Sequence, residues 1–264
     1  MPIIKKENIP NKDFDKKGIL FLEIPLTGTR TLNKIIDNFK IPYYGLFSNN
    51  EKIEFLDYKF CDENYEKYDE GIMTNRHSRY FEYEKIMGDE ILNYQVATII
   101  RNPYDRYISL LAANWRQIQW QGYKKVWQMD EELFRKEFRK NLMSGESVDG
   151  GCKVYLVGKD IWETVHLIEF KESYYFLQFD DLNNEFKKFF CDYLGFEEKN
   201  LVIQDERKDR TACWEQVGNN EFGKPLEDLL PKEKYRYRKY YDNDTKKEIL
   251  KWYEEDIELF NFKF

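Results

Sequence analysis

Ile19-Leu20-Phe21-Leu22-Glu23-Ile24-Pro25-Leu26-Thr27-Gly28-Thr29-Arg30-Thr31-Leu32 joins an apolar run to a hydroxyl-rich turn. The run Ile19 to Leu22 has the continuous hydrophobicity of a strand covered on both faces, and Leu32, Ile35, Ile36 and Phe39 then recur at helical spacing. The segment therefore predicts strand, turn and helix in that order. A helix start of this kind presents backbone N–H groups without intrahelical partners, together with the positive end of the helix dipole, and both favour an anion. Between them, Gly28 allows close backbone approach, Thr27, Thr29 and Thr31 add hydroxyls, and Arg30 adds a fork suited to an oxyanion. The turn is not a Walker A loop, because it has one glycine and no lysine between Pro25 and Thr31. A plain turn capped by a threonine hydroxyl fits the same residues, so a second segment has to decide.

That segment is Gln95-Val-Ala-Thr-Ile-Ile-Arg101-Asn-Pro-Tyr-Asp-Arg-Tyr-Ile-Ser109, where another apolar strand ends at Arg101. Pro103 biases Asn102 away from helix, Asp105 suits the first turn of a new one, and Tyr107, Ile108, Leu111 and Trp115 give it an apolar face. Arg101 at the strand end and Ser109 on the helix are placed to share an anion, with Arg106 between them. A structural ion pair is the other use of such an arginine.

Ile24-Pro25-Leu26-Thr27-Gly28-Thr29-Arg30-Thr31-Leu32 resembles the 5′-phosphosulfate loop of sulfotransferases that use 3′-phosphoadenosine 5′-phosphosulfate (PAPS). Arg101 to Ser109 resembles their 3′-phosphate motif, Arg-x-Pro-x-x-Arg-x-x-Ser, and Tyr253 to Phe260 is similar to the closing helix of the bacterial and Golgi-type carbohydrate branch. The resemblance implies an α/β, P-loop-like three-layer fold with a central, mostly parallel sheet flanked by helices. It also implies a single sulfotransferase domain over 1–264. Loop residues Leu26, Thr27, Gly28, Thr29, Arg30 and Thr31 would hold the phosphosulfate, Arg101 and Ser109 the 3′-phosphate, and Lys208 and Arg210 the nucleotide from a later loop. PAPS would be the cosubstrate, with no metal. The chain departs from the family in one place: Leu26 stands where the usual loop carries a lysine that steadies the leaving oxygen. Loss of such a donor costs roughly two to three orders of magnitude in rate. Either Arg30 replaces it or the chain is a catalytically impaired relative that binds PAPS or its product; a nonstandard P-loop phosphotransferase is a third reading.

Transfer to an alcohol needs a base. His77, in Thr74-Asn-Arg-His-Ser-Arg-Tyr-Phe-Glu, stands before a helix expected over 79–87, where related enzymes carry a histidine, and its ordinary pKa suits neutral pH. Glu23 is the alternative base, or the orienting partner of a nearby cation such as Arg30 or Arg76. His166 lies in a strand-like run and reads as structural. Trp115, Trp120 and Trp127 with Tyr104, Tyr107 and Tyr123 give an aromatic neighbourhood that core packing largely explains; rings exposed in a cleft beside His77 would favour a carbohydrate or another polyhydroxylated acceptor over a small phenol.

Composition sets the remaining bounds. The chain has 264 residues, and 17% of them are aromatic, which suits an extensive core rather than disorder. Lys and Arg number 42 against 49 Asp and Glu, a net charge of −7, so nucleic acid is not an expected partner. The four cysteines form no Cys-x-x-Cys pair and there are two histidines, so reduced thiols are expected and a structural zinc is not. The first residues lack an apolar h-region and no run is long enough to span a bilayer, which predicts a cytoplasmic protein without membrane contact.

Overall fold

The computed structural model describes residues 2–23, 28–49, 52–64, 72–74, 80–108, 131–144, 174–202 and 236–264. The chain divides into two compact units, Met1–Arg101 with Glu163–Gln204 and Asn102–Trp162 with Asp205–Phe264.

The first unit is α/β. Its strands are β1 (Ile3–Lys5), β2 (Gly18–Leu22), β3 (Tyr44–Ser48), β4 (Ile53–Asp57), β5 (Ile72–Met73), β6 (Tyr94–Ile100) and β7 (Tyr175–Gln178). They form one sheet in the order β4-β3-β1-β2-β6-β7, with β5 also on β3. β2 and β6 pair in parallel from Gly18↔Tyr94 to Leu22↔Thr98, and β6 and β7 pair in parallel from Ala97↔Tyr175 to Ile100↔Gln178. The pairings of β1 with β2, β1 with β3, β3 with β4 and β3 with β5 are antiparallel. The sheet is therefore mixed, which corrects the expected mostly parallel one. For one of these pairs the cause is local: only four residues separate β3 from β4, too few for the crossover that parallel pairing needs, and the Asn49 side chain accepts from the Lys52 N–H at 3.0 Å.

Alternation along β2 sends its side chains to two cores. Ile19 and Phe21 pack with Leu32, Ile35 and Ile36 of helix α1 (Thr29–Asn38), and Leu20 and Leu22 pack with Tyr83, Ile86 and Met87 of helix α3 (Tyr80–Met87). Helix α2 (Tyr58–Asn64) follows β4. All five residues of β2 are buried, as the unbroken apolar run requires. Each fully buried Leu, Ile or Phe side chain contributes about 1.5–3 kcal/mol of transfer free energy, so α1 is held by its apolar stripe. After β7 the chain turns through Phe179–Asp181 into a helix, Leu182–Phe186, that continues as a π-helical stretch, Lys187–Tyr193. In the sequence Leu182, Phe186, Phe189, Phe190 and Tyr193 recur at helical spacing, which predicts a core stripe, and Phe186, Phe189 and Phe190 are fully buried on the α1 side of the sheet. Cys61 and Cys191 are thiols.

The second unit is helical in its described part. Residues 103–108 are helical, and Asn102 precedes them, its side chain accepting from the Tyr104 N–H at 3.1 Å. Asn102 Nδ2 also donates to the Lys263 carbonyl at 2.8 Å and the Tyr237 hydroxyl at 3.3 Å. Tyr107 and Ile108 are buried, as their spacing predicts; Tyr104 is buried as well, so both described rings of the aromatic neighbourhood, Tyr104 and Tyr107, are packed inside rather than exposed. The spacing of Leu133, Phe134, Phe138 and Leu142 predicts a helix that turns them inward, and the helix Glu131–Ser144 buries Phe138 and Leu142; the side chains of Leu133 and Phe134 lie outside the described residues. Phe138 meets Tyr107 and Tyr241 edge to face at 5.8 and 4.8 Å between centroids. The closing helix, Asn243–Leu259, starts at Asp242, whose carboxylate accepts from the Asp244 and Thr245 N–H groups, while the Thr245 hydroxyl accepts from the Asp242 N–H. The segment Tyr253 to Phe260 begins at a kink in this helix, at Tyr253 (φ −128°), and ends on its C-cap residue. Among the described residues no helix is long and apolar enough to cross a membrane.

Candidate functional site

The chain leaves β2 through α1 toward β3 on one side of the sheet and returns as β6 on the other. Strand order therefore reverses between β2 and β6, and the crevice outside the carboxyl ends of such strands is where open α/β sheets hold ligands. Three residues stand at those ends in the first unit: Glu23 after β2, Arg101 after β6 and Phe179 after β7.

Gly28 occupies the N-cap of α1 with φ +93° and ψ 17°, a conformation that favours glycine. The Leu32 N–H donates to its carbonyl at 3.2 Å, the first bond of the helix. A threonine hydroxyl was the alternative for this cap; glycine stands there instead and has no side-chain oxygen to offer the first-turn N–H groups. That first turn also holds no carboxylate and carries Arg30, the reverse of the charge a helix start ordinarily recruits from its own chain. A β-carbon added at Gly28 would lie 2.8 Å from Leu182 Cδ2 and 3.5 Å from Phe179 Cε2, so the glycine backs directly onto the turn after β7.

Phe179 links this helix start to Arg101. The register Ile99↔Leu177 and Ile100↔Gln178 carries forward to Arg101 beside Phe179, and Ile99 and Leu177 belong to the core on the α1 side. The half-buried Arg101 places its guanidinium carbon 4.2 Å from the Phe179 ring centroid. Guanidinium donors lie in the plane of the group, so a ring on one face takes none of them.

Glu23 is buried and accepts a hydrogen bond from the Tyr58 hydroxyl at 2.8 Å. The Thr98 hydroxyl donates to the Leu22 carbonyl at 2.7 Å and ties β6 to the end of β2. Nearby, burial pushes the Tyr83 phenol well above its ordinary range against the opposing effect of its hydrogen bond with Thr74, and the Glu23 charge adds to the rise. Tyr43 is raised likewise, by burial first and then by Asp37, whose carboxylate accepts from it at 3.1 Å.

Within the second unit, Arg106 is buried, and its guanidinium hydrogen-bonds the Tyr253 hydroxyl. Burial raises the Tyr253 phenol, with Arg106 working in the opposite direction. A cation so removed from water needs polar neighbours, and the buried Asp256 lies on the same closing helix. Arg106 is thus built into the packing of its own unit, in addition to its place in the Arg-x-Pro-x-x-Arg-x-x-Ser pattern.

Of the residues expected at the site, Glu23, Gly28 and Arg101 are described with their side-chain surroundings, and all three stand at one edge of the first unit. Thr31 is half-buried in the first turn of α1, while for Thr29 and Arg30 only the helical backbone is described. Leu26, Thr27, Arg76, His77, Ser109, His166, Lys208 and Arg210 lie outside the described residues, as do Trp115, Trp120, Tyr123 and Trp127. Phe179 and Tyr58 were not singled out in the sequence. The run Tyr174 to Phe179 reads as a strand and was the available signal, but its partner across β6 depends on a long-range register. Among the described residues no group of three or more His, Cys, Asp and Glu side chains is placed to hold a metal ion. Compared with protein-family models, with curated proteins and with solved structures, the chain matches none.

Proposed function

We propose that this chain is a PAPS-dependent O-sulfotransferase with a P-loop-like three-layer core, acting on a hydroxyl of a carbohydrate. The observation that carries the reading is the meeting of Gly28, at the start of an α1 whose first turn has no carboxylate, with Phe179, over which Arg101 lies. A helix start and an arginine at one strand-end edge suit a nucleotide with phosphates at two positions. In this reading residues 26–31 cradle the phosphosulfate, Arg101 and Ser109 take the 3′-phosphate, and Lys208 and Arg210 close on the nucleotide.

The reaction is a direct displacement at sulfur. The acceptor oxygen forms the new S–O bond, the bond from sulfur to the bridging oxygen breaks, and adenosine 3′,5′-bisphosphate departs with that electron pair. His77 receives the hydroxyl proton, and Arg30 faces the charge that develops on the leaving oxygen in place of the family lysine. Glu23, buried against Tyr58, is suited to orienting a neighbour more than to meeting an acceptor.

Leu26 favours a second reading, in which the chain binds the nucleotide without transferring sulfate. Labelled PAPS offered with a panel of glycans separates the two: sulfated glycan is expected from the enzyme and none from the binding-only relative. Thermal shifts address the phosphotransferase reading. Adenosine 3′,5′-bisphosphate should raise the melting temperature far more than ATP, with Mg²⁺ irrelevant; the opposite order would indicate a kinase.

A further inference from the structure

We infer that Phe179 is a positioning residue that holds Arg101 in the orientation from which it reads a nucleotide 3′-phosphate, an inference that rests on the PAPS reading above. An arginine side chain has many rotamers, and fixing it at the moment of binding subtracts from affinity. Here the guanidinium carbon already stands 4.2 Å from the Phe179 ring centroid, within the range of a cation–π contact. The contact follows from the fold: parallel pairing of β6 with β7 ends at Ile100↔Gln178, so the next residue of each strand is Arg101 and Phe179. The ring is itself fixed, because Phe179 packs against the core shared by α1 and the Phe186–Phe190 stripe and abuts Gly28. The same ring therefore sets the spacing between the helix start and the arginine. A nucleotide carrying one phosphate uses the helix start, and one carrying a second phosphate also uses the arginine. Phe179 accordingly affects discrimination between the two more than binding of either.

The test is calorimetric affinity for adenosine 3′,5′-bisphosphate and for adenosine 5′-phosphate, measured on the full chain. Phe179→Leu, which keeps apolar bulk, should weaken the bisphosphate about tenfold and leave the monophosphate unchanged. Phe179→Tyr should restore wild-type affinity for both. In an Arg101→Ala background, Phe179→Leu should have no further effect on the bisphosphate. Should Phe179→Leu not fold, Phe179→Met carries the same expectation. Equal losses for both ligands, or a loss that persists without Arg101, would overturn the positioning role while leaving the nucleotide reading in place. A wild-type chain that binds the two nucleotides equally would overturn both.

Discussion

Gly28 sits against Leu182: a β-carbon at position 28 would lie 2.8 Å from Leu182 Cδ2. The partner atom is the tip of a flexible side chain and can give way, so the cost of a substitution is set by the backbone, at φ +93°. Gly28→Ala should lower unfolding free energy by about 1–2 kcal/mol, the ordinary penalty of a β-carbon in a left-handed conformation. A urea midpoint that falls with unchanged slope would show it. Nucleotide affinity should fall further than stability alone explains, because the helix start is displaced.

Tyr58 and Glu23 form a buried pair, so removal of the hydroxyl leaves a carboxyl group short of a donor away from water. Tyr58→Phe should cost about 1–3 kcal/mol, read from the same denaturation experiment.

Asp242 supplies the clearest pH dependence. Burial works to raise its pKa, but the Thr245 N–H and hydroxyl and the Arg139 guanidinium outweigh it, and the folded value is lowered. A carboxyl group with a depressed folded pKa adds stability that is present above its unfolded value, roughly 4, and is lost as pH falls through the folded one. Asp242→Ala should therefore be less stable than wild type by about 1 kcal/mol at pH 7, with the gap narrowing below about pH 4. Thermal melts of both proteins across that window check it.

His77→Ala should reduce turnover about 10²- to 10⁴-fold while leaving adenosine 3′,5′-bisphosphate affinity intact, as expected for a group that moves a proton and does not hold the nucleotide. Loss of turnover in Glu23→Gln with full activity in His77→Ala would assign the base to Glu23 instead.

The segments that organise the first unit were readable because each is long and of one character. The apolar run of β2, the stripe Leu32, Ile35, Ile36 of α1, and the run ending at Arg101 all fall where their periodicity puts them. The antiparallel half of the sheet was not readable. β1 and β5 have three and two residues, and β4 is partly exposed, so neither length nor alternation marks them. The phenylalanine stripe at 186–190 was visible, but its passage into a π-helical turn was not, since the same residues satisfy an α-helical spacing. At the site, Gly28 and Arg101 announced themselves by residue type and position. Phe179 did not, because the partner it finds is 78 residues away in sequence and is fixed only by the pairing of β6 with β7.

The most direct measurement is calorimetric titration of adenosine 3′,5′-bisphosphate into wild type and Arg101→Ala. A chain that grips one nucleotide by a helix start and a strand-end arginine should bind it well as wild type and at least tenfold more weakly without Arg101, since a bidentate, charge-assisted contact is lost. Unchanged affinity in Arg101→Ala, or no binding by wild type, would contradict it.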